Sequence, residues 1–460
     1  MIESAVDPSS FRDPSGFIFW RDGRPFRQVN LEARPDYDRL IESGLYAELV
    51  DAGLLVAHEE VDDAPHTPSL AYKVLRPDPI PFVAYPYEWC FGQLKAAATA
   101  TLEIQRRAVA RGMSLKDATG FNVQFRGWRP VFIDTLSFES YREGSPWVAY
   151  RQFCQHFLAP LALMSRVDPG LNQLLRTNLD GVPLALAARL LPRRTWLNPG
   201  LLLHIHLHAR AKQAFDQHAE KPKERPFPRT ALLGMLDSLG STVKGLRWEP
   251  SGTEWADYYT DTNYTDAALA EKERLVGAFL DRVAPRTAWD LGANNGRFSR
   301  LASARGAATV AFDVDPAAVE RNYREATRLG EEGLLPLVLD LTNPSPGLGW
   351  ANRERLTIRD RGPADVVLAL ALVHHLAIGN NVPLPKVAEL FADLGRNLII
   401  EFVPKSDSQV RRLLVVREDI FPGYTREGFE AAFAGHFSTE AVEPIAGTER
   451  TLYLLRRRER

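Results

Sequence analysis

Hydrophobic and polar positions change rhythm a little past the middle of the chain. From Thr287 onward, short apolar runs alternate with helical stretches. Thr287-Ala-Trp-Asp-Leu meets a Gly/Asn turn, and the segment from Arg297 carries Phe298, Leu301 and Ala302 on one side. Thr309-Val-Ala-Phe ends at Asp313, and Pro316 then opens a helix, in whose first turn a missing N–H does no harm. Further strands are predicted at Leu335–Leu339, Asp365–Val373, Asn397–Phe402 and Arg450–Leu455, with helices at Pro385–Leu394 and Arg426–Phe433 between them. Upstream, Leu269, Val276, Phe279, Leu280 and Val283 recur at helical spacing behind Thr265, a good N-cap residue. Strands alternating with helices predict a mostly parallel α/β sheet covered on both faces, in a domain over residues 250–460.

The first 249 residues follow a different pattern and predict an α+β domain. Gly16-Phe-Ile-Phe-Trp and Pro25-Phe-Arg-Gln-Val flank Asp22-Gly23, a hairpin signal. A helix is predicted over Asp36–Ala52 and a long Ala-rich one over Phe91–Arg111. Phe121-Asn-Val-Gln-Phe and Pro130-Val-Phe-Ile form a second hairpin around Arg126-Gly-Trp-Arg. Residues 150–245 read as helical, and the polar run from Glu220 to Pro228 reads as a loop.

Composition adds exclusions. The chain has 460 residues, 45% of them hydrophobic, with 56 Lys+Arg against 58 Asp+Glu and a formal charge of −2. This is a globular composition with room for two cores. It argues against attachment to nucleic acid by bulk charge. Two cysteines, Cys90 and Cys154, cannot make a thiolate zinc site or a disulfide framework. With an acidic N-terminus and no apolar run long enough to span a bilayer, a cytoplasmic protein without membrane insertion is expected.

The stretch Trp289-Asp-Leu-Gly-Ala-Asn-Asn-Gly-Arg-Phe-Ser-Arg carries the chemistry. A strand ends in an acid, the chain turns through glycines and asparagines, and a helix begins, an arrangement that predicts backbone N–H groups beside a ligand at the sheet edge. Asp290 before the first glycine suits a cationic or zwitterionic ligand end better than a diphosphate. Gly292-Ala-Asn-Asn-Gly296 resembles motif I of class I S-adenosylmethionine-dependent methyltransferases, with Asn294 at the middle Gly, a residue that tolerates left-handed backbone. The resemblance implies a Rossmann-like seven-stranded domain and S-adenosyl-L-methionine as cofactor. It implies that Asp313 accepts hydrogen bonds from both ribose hydroxyls, that Asp340 binds the adenine amino group, and that Leu341 sits against the adenine ring. Tyr85-Pro-Tyr-Glu-Trp, Ile133-Asp-Thr-Leu-Ser-Phe-Glu, Asn294-Asn-Gly-Arg-Phe-Ser and Ile400-Glu-Phe-Val-Pro-Lys further resemble the large bacterial methyltransferases related to nodulation proteins.

The fourth strand of this domain runs into His374-His375, similar to the His-His-Leu of many small-molecule methyltransferases. One imidazole is a candidate general base for an O–H or N–H nucleophile. If both lie on a strand they point to opposite faces, so they should not share a role. Glu401, at the end of the fifth strand, is a candidate to orient substrate or a His, and Lys405 or Asp407 could reach the pocket. Tyr258, Tyr259 and Tyr264 are candidates to cover the cofactor or to pack between domains.

In the N-terminal part, Asp117, Asn122 and Asp134 stand in the order that places a catalytic Asp and two metal ligands in protein kinases. This resemblance to a kinase-like fold lacks the Gly-rich loop, and Arg27 takes the β-strand Lys position. It offers ATP-dependent phosphoryl transfer as an alternative, and a non-catalytic cofactor-binding partner protein is a second one. His204, His206 and His208 alternate without a nearby acid or thiolate, so no metal site is assigned. The reading is a methyltransferase acting on an O, N or C nucleophile, with an N-terminal domain for recognition. A small-molecule or glycan acceptor is expected, RNA and protein acceptors and the oligomeric state staying open.

Overall fold

The computed structural model describes residues 4–210, 226–250, 264–415 and 418–459. The chain forms two compact units, Met1–Glu249 with Leu348–Arg355, and Pro250–Gly347 with Leu356–Arg460.

The first unit carries a five-stranded antiparallel sheet ordered Ser4–Val6, Gly16–Arg21, Arg24–Asn30, Ala71–Pro77, His58–Val61. Its first tight hairpin turns through Asp22 (φ 51°) and Gly23 (φ 71°), the two left-handed residues that a turn matching strand twist requires. The helix predicted over Asp36–Ala52 is two helices, Arg34–Glu42 and Leu45–Asp51, because Gly44 adopts φ 75° between them. The Ala-rich helix Phe91–Ala110 runs through the core of this unit, and the second hairpin pairs Val123–Arg126 with Arg129–Phe132. Helical segments, several of them 3-10 or π turns, fill Tyr150 to Leu207, and Arg229–Gly245 follows. Of the loop predicted from Glu220, residues 220–225 lie outside the described residues.

The second unit is a seven-stranded, mostly parallel sheet. Its strands are β1 (Thr287–Leu291), β2 (Ala308–Asp313), β3 (Leu334–Val338), β4 (Ala364–Ala369), β5 (Gly395–Phe402), β6 (Phe437–Pro444) and β7 (Thr451–Arg457). Their spatial order is β3-β2-β1-β4-β5-β7-β6, with β7 antiparallel to both neighbours. Helix α1 (Asp266–Val283) is capped by Thr265, whose Oγ1 accepts the Ala268 N–H at 3.2 Å. Its Leu275, Val276, Phe279 and Leu280 join Ala288, Val366, Leu368 and Ile399 in one core cluster. At roughly 1.5–3 kcal/mol per buried side chain, that face holds α1 on the sheet firmly enough to carry a buried lysine with it.

Two differences from the sequence pattern shape the site. The apolar run predicted as strand from Asp365 to Val373 leaves the sheet after Ala369, because Ala371 turns left-handed at φ 50°. His374 and His375 therefore sit on a helical turn, π-type over His375–Gly379, and alternation across a strand does not separate them. The polar strand β6 and the helix over Ser408–Val415 are not among the elements predicted from the sequence. Reversal of strand order between β1 and β4 makes their C-terminal ends the point where loops diverge and a ligand can enter. No helix among the described residues is long and apolar enough to cross a membrane.

Candidate active site

A cavity of about 240 Å³ opens at that divergence, and Asp290, Gly292, Asn294, Asp313, Asp340, Leu341 and His375 all line it. The spacing of the three acids is explained by the fold. Asp290 lies in β1, Asp313 ends β2 and Asp340 follows β3, so three adjacent parallel strands deliver one carboxyl each to the same edge.

Each acid has its own environment. Asp290 is buried and accepts the Ser299 hydroxyl at 2.6 Å; burial pushes its pKa up to about 7 against the help of Ser299, and Asp313 nearby adds to the rise. Asp313 accepts the N–H groups of Asn294 at 2.8 Å and Asp315 at 2.9 Å, and burial still raises it to about 6. Asp340 accepts the N–H and hydroxyl of Thr342 at 2.8 and 2.7 Å, which fixes the turn carrying Leu341. Two buried carboxylates that ionise only at a cost are half of a recognition pair. A cation or a hydroxyl donor supplied by a ligand completes it.

The Gly292–Gly296 loop is tied differently from the expectation of free N–H groups. Gly292 and Ala293 N–H both donate to Phe312 O at 2.9 Å, and Asn294 N–H is taken by Asp313. With those donors engaged, the wall offers acceptors rather than an anion nest, and this favours a cationic ligand over a diphosphate. Gly292 (φ 78°), Asn294 (φ 49°) and Gly296 (φ 80°) are all left-handed. A Cβ on Gly296 would stand 2.5 Å from the Asn322 amide, and one on Gly292 would stand 3.3 Å from Leu372.

The histidines diverge. His375 lines the cavity, and burial with the charge of Arg450 lowers its pKa to about 4. His374 is buried behind it, ring centroids 4.1 Å apart, and is held well below the ordinary histidine range; its Nδ1 meets no hydrogen-bond partner. Both imidazoles are neutral at pH 7.

Glu401 is fully buried and does not line the cavity. It accepts the Lys272 ammonium at 2.6 Å and the Tyr264 hydroxyl, and lies 3.4 Å from Arg450. Arg450 in turn grips Asp407 with two nitrogens, at 2.8 and 3.1 Å, and donates to Tyr264 at 2.9 Å. Lys272 and Tyr264 line the cavity, so this network stands behind its wall. Asp407 thus belongs to the network, while Lys405 pairs with Asp419 at 2.7 Å on the surface. Tyr258 and Tyr259 lie outside the described residues. Lys272, Arg450, Ser299 and Val314 were missed in sequence. Lys272 alone left a signal, a charge on the otherwise apolar face of α1.

In the first unit, Asp117, Asn122 and Asp134 are brought together, and each is hydrogen-bonded within the protein. Asp134 takes the Arg27 guanidinium, the Ser137 hydroxyl and, at 3.2 Å, the Leu136 N–H; Asn122 donates to Ser137 at 3.2 Å; Asp117 accepts the Thr119 N–H at 2.9 Å. A guanidinium thus faces Asp134, and nothing at this cluster favours a metal–nucleotide complex. His204 bonds Tyr150 and Ser238, each at 2.8 Å, His206 bonds Thr195 at 2.9 Å, and His208 stacks on Tyr150 at 4.8 Å. His204 and His208 share Tyr150, while His206 turns to Thr195. Among the described residues, no group of three or more His, Cys, Asp or Glu is arranged to hold a metal.

No family model matches the chain. Among solved structures, the N-methyltransferase NodS from Bradyrhizobium japonicum WM9 is similar at 12% identity, covering 42% of this chain and 98% of that one, with a TM-score of 0.32. Magnesium protoporphyrin IX methyltransferase (ChlM) from Synechocystis PCC 6803 with bound SAH is similar at 18% identity over 44% of this chain and 93% of that one, TM-score 0.32. Similarity at this level leaves the chemistry to be read from the site itself. The nodulation protein NoeA of Rhizobium meliloti (strain 1021) is 39% identical over 459 residues, 98% of this chain and 96% of the relative. With both units spanned by that match, the chain belongs to the family of the nodulation protein NoeA.

Proposed function

We propose that the chain is an S-adenosylmethionine-dependent methyltransferase of the cytoplasm, its cofactor held at the C-terminal edge of the second unit's sheet. The observation that carries this reading is the pair of buried carboxylates, Asp290 and Asp313, on a cavity whose loop N–H groups are already engaged. S-adenosylmethionine supplies an activated methyl group on a cationic sulfonium.

Asp313 accepts the ribose hydroxyls, and Asp290 balances the amino-acid ammonium. Asp340 accepts from the adenine amino group, with Leu341 and Val314 as apolar walls for the ring. Glu401 acts as a positioning residue: it fixes Lys272 and Tyr264 at the cavity wall and touches no reacting atom. His375 offers a neutral lone pair that orients an O–H or N–H of the acceptor; with a pKa of about 4 it is a weak base and serves alignment more than proton removal. His374 supports it from behind. The first unit recognises the acceptor, a small molecule or glycan with an O, N or C nucleophile.

Release of S-adenosylhomocysteine from S-adenosylmethionine is the test, followed with size-separated fractions of an extract of the native host. Release stimulated by the small-molecule or glycan fraction supports the reading in full. Stimulation by RNA or protein fractions alone would replace the acceptor, and no stimulation by any fraction would favour a protein that binds the cofactor without catalysis.

A further inference from the structure

The surface of the first unit between Leu184 and Arg210 combines features that the active site does not use. No Asp or Glu occurs between Asp180 and Asp216 in a chain that otherwise carries 58 acids. Two helical elements, Leu184–Leu190 and Arg193–Leu197, both pack there against a third, the run through Leu202–Leu207. Their inward side chains, among them Leu201, His204, Ile205 and His206, are buried.

The outward side chains are large and apolar. Leu197 is 86% exposed, Leu203 50%, Leu207 44% and Leu190 42%. Around them Arg189, Arg193, Arg194 and Arg210 are exposed, with no ion pair among the described residues; Arg210 lies over the Trp196 ring at 4.5 Å. A hollow of about 300 Å³ opens between Arg166 and Arg194, with Leu197 at its rim. Exposed leucines set among arginines unpaired among the described residues, in a stretch of sequence without Asp or Glu, match an interface that is negatively charged outside and apolar just beneath.

We infer that this face docks the protein on the surface of an anionic lipid bilayer. The leucines enter the boundary between headgroups and acyl chains, the arginines meet lipid phosphates, and the hollow between Arg166 and Arg194 seats one headgroup. Attachment is peripheral. Charge complementarity selects the bilayer over an apolar protein partner, which would leave four guanidinium groups without counter-charges.

Flotation of the full chain with vesicles tests this. Phosphatidylcholine vesicles containing about 30% phosphatidylglycerol are expected to carry the protein up the gradient, and pure phosphatidylcholine vesicles are not. Raising salt should weaken the association. The double variants Arg193→Glu/Arg194→Glu and Leu197→Ser/Leu203→Ser should each lower vesicle binding at least about tenfold. Both alter exposed side chains, so their unfolding midpoints should match the unsubstituted protein. No flotation with anionic vesicles, or flotation that neither variant reduces, overturns the inference. So does a dimer in sedimentation that Leu197→Ser/Leu203→Ser dissolves without any vesicle binding.

Discussion

If Asp290 balances a cationic end of the cofactor, binding must release a proton, and the size of that release follows from the site. In the free protein burial raises the carboxyl to about 7, so near pH 7 about half the molecules carry the proton. An ammonium within hydrogen-bond reach lowers a carboxyl by about 1–3 pKa units, which brings it to roughly 5 in the complex. Apparent affinity is then highest above pH 7 and falls by up to about tenfold per unit below it, to a total of about 50-fold, or about 2.3 kcal/mol, by pH 5. Calorimetric titration of S-adenosylhomocysteine between pH 5.5 and 8.5, in buffers of different ionisation enthalpy, reads both the affinity and the protons released. Asp290→Asn should remove the step near 7 and leave a smaller one near 6 from Asp313. The same linkage acts on folding with a definite sign. An acid raised from 3.8 to about 7 binds its proton more tightly when folded, so stability is highest at low pH and falls as pH rises through that window. The loss is at most about 4 kcal/mol from this residue. Affinity that is flat across the range, or a profile that Asp290→Asn leaves unchanged, would refute the assignment of Asp290 to a cationic ligand end.

Other expectations follow from the same geometry. Gly296→Ala forces a side chain into left-handed backbone and against Asn322, so chemical denaturation should show a loss of about 2–3 kcal/mol; adding Asn322→Ala should recover the contact part and leave the backbone part. Glu401→Gln strands the Lys272 ammonium in a buried site, and about 3–5 kcal/mol of stability should go with it. Lys272→Met combined with Glu401→Gln should regain much of that loss, as read by denaturant midpoints. Since Lys272 lines the cavity, Glu401→Gln should also weaken cofactor binding.

The parts of this site that were legible in sequence share one property: each is a consequence of local order along the chain. Asp290, Asp313 and Asp340 each close a short apolar run, and parallel strands laid side by side turn that linear recurrence into spatial convergence. Thr265 and the apolar period behind it mark α1 just as locally. The contacts among Tyr264, Lys272, Glu401 and Arg450 had no such signal, because these residues meet only through tertiary packing; Tyr264 and Glu401 are 137 positions apart. The strand predicted through to Val373 failed for a related reason. Composition alone does not reveal that Ala371 turns left-handed, and the apolar run around it buries equally well as the turn and helix that place His375 on the cavity. The kinase-like order of Asp117, Asn122 and Asp134 was visible, but the Arg27 guanidinium that occupies Asp134 comes from a distant strand.

The central claim, that the Asp290–Asp313 cavity holds S-adenosylmethionine, is tested most directly by calorimetry with S-adenosylhomocysteine on the full chain and on Asp313→Ala at pH 8. Two charge-assisted hydrogen bonds at about 1.5–3 kcal/mol each predict that the substitution weakens binding by about 10²–10⁴-fold while the fold is retained. Binding that Asp313→Ala leaves unchanged, or a protein that takes up ATP with magnesium and ignores S-adenosylhomocysteine, would contradict it.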